Sequence, residues 1–111
     1  MIRPRFRILY GSKIAIGPGK ADLLKAIHKN GSIGEAAKSL GMSYMRAWEM
    51  LQTMNQCFDK PLVSALRGGH KKGGTKLTTA GILVLKMYEE LENKSLLATY
   101  PIWKKIVKLL R

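Results

Sequence analysis

The sequence is short of acidic residues, of cysteine and of long hydrophobic runs. Its 111 residues contain 7 Asp and Glu against 20 Lys and Arg, a formal net charge of +13 at pH 7. So large an excess favours an anionic partner, because the summed field of the protein attracts phosphate-rich surfaces from a distance. Nucleic acid is the commonest such partner. An anionic membrane, or a basic protein without any single partner, is the alternative.

The scarcity of cysteine and of apolar runs also bounds the location. Cys57 is alone and can form no disulfide within the chain, which indicates a reducing cytoplasm. No apolar run approaches the roughly 18 residues that a membrane-spanning helix needs. Arg5, Arg7 and Lys13 interrupt the amino-terminal apolar positions, which excludes the core of a signal peptide. We therefore expect a soluble, cytoplasmic protein of one domain.

Residue types that carry catalysis or bind metals are equally scarce. The chain has 2 histidines, and its one cysteine lacks metal-ligand spacing to either of them. Gly69 and Gly74 have the glycine spacing of the phosphate-binding loop of nucleotide hydrolases. That loop requires Lys and then Ser or Thr after its second glycine, whereas Thr75 precedes Lys76 here. The sequence therefore predicts no enzyme, no metal site and no cofactor.

The amino-terminal third predicts a short hairpin and then a helix. Basic and apolar residues alternate at positions 5–8, and apolar residues resume at positions 14–16 after a turn, which is typical of two short strands. Beyond Gly17-Pro18-Gly19, Leu23, Leu24 and Ile27 fall on one helical face. This first helix is predicted to end at Asn30-Gly31.

The stretch at residues 32–56, SIGEAAKSLGMSYMRAWEMLQTMNQ, has the pattern of two helices joined by a short turn. Ser32 and Glu35 have capping-box spacing, and Gly41 ends the first helix. Ser43 is placed to cap a second helix that runs to about residue 56. This pattern predicts a helix-turn-helix, although ordinary helical hairpins share it.

A helical projection divides the second of these helices into a packed side and a polar side. Trp48 is predicted to be the large anchor of the packed side, with base stacking as the alternative. The predicted packed side is Ala47, Trp48, Leu51, Asn55 and Phe58. On the polar side an Arg can bond guanine and a Glu can accept from cytosine, unless this is only a solvated helix face. The residues predicted to read bases are Ser43, Met45, Arg46 and Glu49, and Tyr44 and Thr53 are predicted to contact the DNA backbone.

A glycine-rich basic loop, GGHKKGGTK, lies between two short β-rich segments at residues 62–66 and 75–77. The pattern predicts a β-hairpin, which behind a helix-turn-helix is a wing. Glycines let backbone N–H groups approach phosphates while the cations supply charge. A flexible basic loop without a partner is the alternative. The predicted wing is residues 67–76, with DNA-backbone contacts from Arg67, His70, Lys71, Lys72 and Lys76.

The last third predicts a long helix from Thr78 to about Asn93 and a further helix that begins at Pro101. Residues 82–85 are apolar around a whole turn, so the long helix is expected to be buried against its own domain and against a second copy. The tail is basic and amphipathic, and a membrane-surface helix is the alternative to packing in a dimer. The predicted dimerisation residues are Ile82, Leu83, Leu85, Tyr88, Trp103 and Ile106.

Three segments together resemble a known domain: IGPGKADLLKAI, GSIGEAAKSLGMSYMRAWEMLQTMN and PLVSALRGGHKKGGTKLTTAG. They are similar to the amino-terminal winged helix-turn-helix domain of the ModE-type molybdate-responsive transcription regulators, which is related to that of LysR-type regulators. The resemblance covers residues from about 14 to 91. Its specific elements are Ser43-Tyr44, Ala47-Trp48, Met54-Asn55 and the wing closed by Leu77-Thr78. It implies a cytoplasmic, dimeric DNA-binding protein with its recognition helix at about residues 43–56.

We therefore expect a mainly α fold with small β: a winged helix-turn-helix with a short N-terminal β-hairpin, a β-wing and a long C-terminal dimerisation helix. Residues 1–94 are predicted to form the DNA-binding domain, and residues 95–111 an amphipathic helical tail of the same domain. Two functions stay open, a transcription regulator on double-stranded DNA and a weakly selective nucleic-acid-coating protein. Glu49 favours the regulator, because a carboxylate on a groove-facing surface repels phosphate.

The resemblance does not extend to a sensor. Regulators of this type carry a further oxyanion-binding domain, for which a chain ending at Arg111 leaves no room. We therefore expect no identifiable small-molecule effector, and the sequence leaves the link to molybdenum open. The operator sequence and the choice between activation and repression are also beyond the sequence.

Overall fold

The computed structural model describes residues 2–65 and 74–111. In these residues helices and short antiparallel strand pairs confirm the predicted mainly α fold with small β. The strands are β1 Ile8–Tyr10, β2 Lys13–Ile16, β3 Val63–Ala65 and β4 Thr75–Leu77, and the helices are α1 Pro18–Asn30, α2 Ile33–Ser39, α3 Tyr44–Cys57 and α4 Thr79–Val107. β3 pairs with β4, so the base of the predicted wing is a hairpin.

The predicted N-terminal hairpin is formed by β1 and β2. Gly11 takes the turn with a φ of 63°, a left-handed conformation that glycine adopts without steric cost. The segment before β1 is bound to α4, because the hydroxyl of Tyr88 donates to the carbonyl of Phe6 at 2.7 Å. Nearby, Arg5 forms an ion pair with Glu92 at 3.2 Å. These contacts hold the amino-terminal segment against the body of the domain.

The predicted helix-turn-helix is formed by α2 and α3, with a serine cap at the start of each. The hydroxyl of Ser32 accepts from the N–H of Glu35, and the hydroxyl of Ser43 accepts from the N–H of Arg46, both at 3.1 Å. Gly41, in the turn between the helices, has a φ of 68°. Each cap satisfies an N–H group that has no partner within its helix. The local sequence therefore fixes where the two helices begin.

The core lies between α1, α2, α3 and the first turns of α4, and it corrects the prediction for Trp48. Trp48 is 42% exposed, so it is not the anchor of the core. The buried face of α3 is Ala47, Met50, Leu51 and Met54. This face has the i, i+3, i+4, i+7 spacing of an amphipathic helix, and methionine fills irregular gaps well. The prediction was wrong because it centred the packed side on the largest apolar side chain rather than on this stripe.

Leu62 joins α3, the wing and α4. Its N–H donates to Oδ1 of Asn55 at 2.8 Å, its carbonyl accepts from the N–H of Thr78 at 2.9 Å, and its side chain is fully buried. The hydroxyl of Thr78 accepts from the N–H of Gly81 at 2.9 Å and donates to the carbonyl of Pro61 at 2.7 Å. We call these five residues the Leu62 junction. The junction fixes α3, β3 and the start of α4 relative to one another.

α4 is one continuous helix, which corrects the predicted end near Asn93 and the separate helix from Pro101. Pro101 lies inside α4. A proline removes one helical hydrogen bond and crowds the preceding turn. Close to this proline the indole N–H of Trp103 donates to the carbonyl of Leu96 at 3.1 Å. The helix thus continues through a proline that the sequence pattern assigns to the start of a separate helix.

Leu85 and Tyr88 require a second correction, because they were predicted at a dimer interface. Both are buried in the core of their own chain, where the first turns of α4 pack on α1. Among the other predicted interface residues, Ile82, Leu83 and Ile106 are exposed and Trp103 is half-buried. The first three turns of α4 thus have one face in the core and another on the surface.

The Leu62 junction predicts opposite effects for two glycine substitutions. A Cβ at Gly81 would overlap the carbonyl oxygen of Leu62, whereas a Cβ at Gly34 in α2 would meet no atom within 4 Å. We expect Gly81→Ala to lower the free energy of unfolding by about 1–3 kcal/mol. Gly34→Ala is the control and should raise it by about 0.5–1 kcal/mol. Urea denaturation measures both, and equal stabilities would contradict the described packing.

Candidate nucleic-acid interface

The start of α3 exposes the residues predicted to read bases. Met45 is 58% exposed, and Arg46 and Glu49 are also exposed. Ser43 is exposed as well, and its hydroxyl holds the first turn of α3 through the cap on Arg46. The fold thus presents a thioether, a guanidinium and a carboxylate from one rigid helix end. These are groups that can distinguish base edges in a major groove.

The residues predicted to contact the DNA backbone fall into two groups. In the described part of the chain, Tyr44 is 55% exposed, Thr53 is half-buried and Lys76 is exposed. Lys76 lies between the buried residues Thr75 and Leu77 of β4, so the alternation of the strand directs its side chain away from the core. The remaining predicted contacts lie outside the described residues: Arg67, His70, Lys71 and Lys72.

The exposed indole of Trp48 is a surface feature that sequence reasoning missed. Tyr44 and Met45 lie four and three residues before it, so the three side chains are neighbours on the helix surface. Together they place apolar area beside Arg46 and Glu49. Such area can contact the methyl group of thymine. The sequence does carry a signal for this exposure. The apolar residues Ala47, Met50, Leu51 and Met54 have the i, i+3, i+4, i+7 spacing of one buried helix face, and Trp48 does not belong to that series.

Three cations from separate parts of the chain line one concave surface beside α3. Arg7 precedes β1, Lys20 lies in the first turn of α1, and Arg46 lies in the first turn of α3. Glu49 and Thr53 of α3 complete its polar lining, and its volume is about 360 Å³. We call this surface the cationic pocket. Sequence reasoning missed Arg7 and Lys20 because only the tertiary fold brings them to α3.

The ionisation of Lys20 reflects this convergence. Burial lowers the pKa of Lys20 below its usual range, and the neighbouring charges of Arg46 and Arg7 lower it further. Cys57 acts in the opposite direction on the pKa of Lys20. A lowered lysine pKa is the result of an environment that already has excess positive charge and limited contact with water. The pocket therefore combines limited contact with water and an excess of positive charge.

Other kinds of site have less support in the described residues. In residues 2–65 and 74–111, no three His, Cys, Asp or Glu side chains are grouped as metal ligands. None of the helices described combines the length and the hydropathy that a membrane span requires. Cys57 is a free, half-buried thiol. The exposed start of α3 and the cationic pocket are thus the candidate sites in the described part of the chain.

The sequence profile of the bacterial regulatory helix-turn-helix proteins, lysR family, matches residues 20–82. The match extends from α1 through the start of α4 and includes the whole helix-turn-helix. The chain belongs to the lysR family. A structure titled ArgP from Mycobacterium tuberculosis supports the same fold, with a TM-score of 0.53 and 20% identity over 79% of this chain and 30% of that chain.

Relatives in this family confirm the ModE-type resemblance. The molybdenum transport protein ModE of Azotobacter vinelandii is 42% identical over 78 residues, which are 70% of this chain and 29% of the relative. The transcriptional regulator ModE of Haemophilus influenzae is 43% identical, over 69% of this chain and 30% of the relative. The DNA-binding transcriptional dual regulator ModE of Escherichia coli K12 is 38% identical, over 71% and 30%. The chain thus matches under a third of the length of these relatives.

The charge environment of Lys20 predicts the order in which lysine side chains titrate. Burial and nearby cations lower the pKa of Lys20, whereas the hydrogen bond and charge of Glu90 raise the pKa of Lys94. NMR of the lysine side-chain nitrogens should show Lys20 losing its proton at lower pH than Lys94. Arg46→Ala should raise the pKa of Lys20, because a positive neighbour is removed.

The lowered pKa of Lys20 also determines the direction in which this residue changes the free energy of unfolding with pH. Because the unfolded chain holds the Lys20 proton more tightly, protonated Lys20 destabilises the folded state below its folded pKa. This cost is lost as the pH rises past the usual lysine range. A pKa of Lys20 that equals or exceeds the pKa of Lys94 would contradict the described environment.

Proposed function

We propose that the protein is a DNA-binding transcriptional regulator, with α3 in the major groove and the wing at residues 67–76 on phosphates. The observation that carries the proposal is the exposed start of α3 within the helix-turn-helix of a lysR-family chain. Recognition helices make their base contacts at this end. A relative aligned over this region is named a DNA-binding transcriptional dual regulator.

The mixture of charges on α3 supports binding to preferred sites. A surface that only coats nucleic acid gains affinity from cations and loses it from every exposed carboxylate. Here Glu49 is exposed one turn after Arg46, within a chain whose net charge is +13. An acid at this position is unfavourable near phosphate but can accept from cytosine. The base-reading set Ser43, Met45, Arg46 and Glu49 is therefore proposed to select sequence.

We also propose that the regulator is a homodimer formed along α4. Its buried residues in the described part of the chain all lie in its first ten positions: Gly81, Leu85 and Tyr88. Beyond them, Ile102 and Ile106 lie on one face of the helix and are 66% and 58% exposed. An isolated helix with this much exposed apolar surface gains stability from a partner helix. A second copy would also match the two-fold symmetry of many operators.

The proposed role predicts the cellular location of the protein. It also indicates which promoters are the first candidates for binding. Because its partner would be genomic DNA, the protein is expected in the cytoplasm, and the role requires no catalytic residues. Relatives named for molybdenum include a molybdenum transport protein ModE and a molybdenum-pterin-binding protein MopA. We propose promoters of molybdenum-handling genes as the first candidate targets.

Substitutions on α3 and on the wing should affect DNA binding differently. Arg46→Ala is expected to weaken binding to a preferred duplex by about 1–3 kcal/mol and to relax sequence preference, because a base contact is lost. Lys71→Ala with Lys72→Ala should weaken all duplexes similarly and flatten the dependence on salt. Fluorescence titration with a preferred and a scrambled duplex measures both effects. Equal losses on the two duplexes for Arg46→Ala would remove Arg46 from base reading.

The dimer can be tested by placing charges on α4. Ile102→Glu with Ile106→Glu should weaken self-association by about tenfold or more, because residues four apart share one face of a helix and each carboxylate would be buried there without a partner. Asn93→Glu is the control, since it adds a charge at a polar, exposed position of the same helix. Sedimentation equilibrium measures the association constants. A wild-type chain that remains monomeric at micromolar concentration would contradict the dimer.

A further inference from the structure

We propose that the cationic pocket binds one phosphate of the DNA backbone, held by Arg7 and Lys20 beside the recognition helix. The inference rests on the proposed function and adds two contact residues from outside the helix-turn-helix and the wing. Arg7 lies before β1 and Lys20 lies in α1. A contact from these elements would fix how α3 is seated, since phosphate contacts set the register and orientation of a protein on the duplex.

The lining of the cationic pocket has a net positive charge. Arg7, Lys20 and Arg46 face one acid, Glu49, so the lining has an excess of two positive charges. The ion pairs in the described part of the chain join Arg5, Lys25 and Lys94 to glutamates of α4, and none includes a pocket cation. The three cations are therefore not neutralised by ion pairing in that part of the chain. Phosphate oxygens would supply the missing negative charge.

The backbone at the start of α1 lets the cationic side chains of the pocket approach closely. A Cβ at Gly17 would lie 3.0 Å from Cγ of Arg7, so a glycine at this position allows the arginine stem to pack on the start of α1. Gly17 and Gly19 both line the pocket, and neither has a side chain to obstruct it. Burial is the main cause of the lowered pKa of Lys20, and the charges of Arg46 and Arg7 add to it, which agrees with this packing. Bound phosphate would raise that pKa again, because an anion stabilises the charged amine.

The cationic pocket lies beside the part of α3 that is proposed to contact DNA. Arg46, Glu49 and Thr53 line the pocket and also belong to the face of α3 that is proposed to enter the major groove. A duplex placed on that face would therefore pass over the mouth of the pocket. The strands that border the groove carry the phosphates nearest to it. This geometry favours a phosphodiester as the occupant over a free anion from solution.

The test compares two double variants of equal charge in the full chain. Arg7→Gln with Lys20→Gln removes the pocket pair, and Lys29→Gln with Lys105→Gln removes two exposed cations elsewhere. Binding of a preferred and a scrambled duplex is titrated at several salt concentrations. The pocket variant should bind both duplexes about tenfold more weakly, and its slope of log affinity against log salt should be smaller by about 0.9, the value for one phosphate. Adding back charge with Arg7→Lys and Lys20→Arg should recover most of the affinity.

The outcomes separate the inference from the function on which it rests. If the pocket variant and the control bind alike while wild type binds duplex with sequence preference, the phosphate contact is wrong and the regulator stands. If the wild-type chain binds both duplexes equally, the proposed regulator is contradicted. The phosphate contact is then judged only by whether the pocket variant binds duplex more weakly than the control variant. A titration with inorganic phosphate alone, monitored by NMR of Lys20, tests whether the pocket binds a free anion. If the pocket variant loses phosphate binding but keeps full duplex affinity, the occupant is a free anion and not a phosphate of the DNA backbone. Circular dichroism confirms that each variant is folded.

Discussion

The backbone of Leu62 is the point on which the arrangement of the domain depends. Its N–H is held by Asn55 at the end of α3, and its carbonyl is held by Thr78 at the start of α4. Gly81 leaves room for that carbonyl to pack directly on α4. Buried backbone groups that are hydrogen-bonded resist movement. If such a bond breaks, the donor and the acceptor are left without a partner, because water does not reach them. The recognition helix, the wing base and the long helix are therefore mutually fixed.

A fixed junction has consequences for how such a domain would read DNA. Base contacts from α3 are useful only if the helix meets the groove at one angle, and the caps on Ser32 and Ser43 determine where the two helices begin. In the proposed complex, cations outside α3 would set the register of the protein on the duplex. The long helix projects from the same junction, so a dimer along α4 would place two recognition helices at a defined separation. In the proposed dimer, the Leu62 junction would thus fix the angle of each α3 and also the distance between the two copies of α3.

Local signals in the sequence predicted the fold well, and tertiary contacts account for what they missed. The caps, the turn at Gly41 and the N-terminal hairpin depend on neighbouring residues, so the sequence indicated them correctly. Trp48 was misplaced because its exposure depends on which stripe of α3 meets α1 and α2. The continuity of α4 through Pro101 is not signalled by the local sequence, because a proline is equally typical of the first turn of a new helix. Arg7 and Lys20 could not be assigned to α3 in advance, because no spacing rule relates them.

Selection of preferred sequences from a randomised pool of duplexes tests the central claim most directly. The full chain would be incubated with the pool at physiological salt, and the bound duplexes sequenced over successive rounds. The account predicts enrichment of one motif with two inverted half-sites about 34 Å apart, because two copies of α3 would occupy successive major grooves on one face of the duplex. A pool that remains random while binding tightly would contradict it, since affinity would then come from the net positive charge alone.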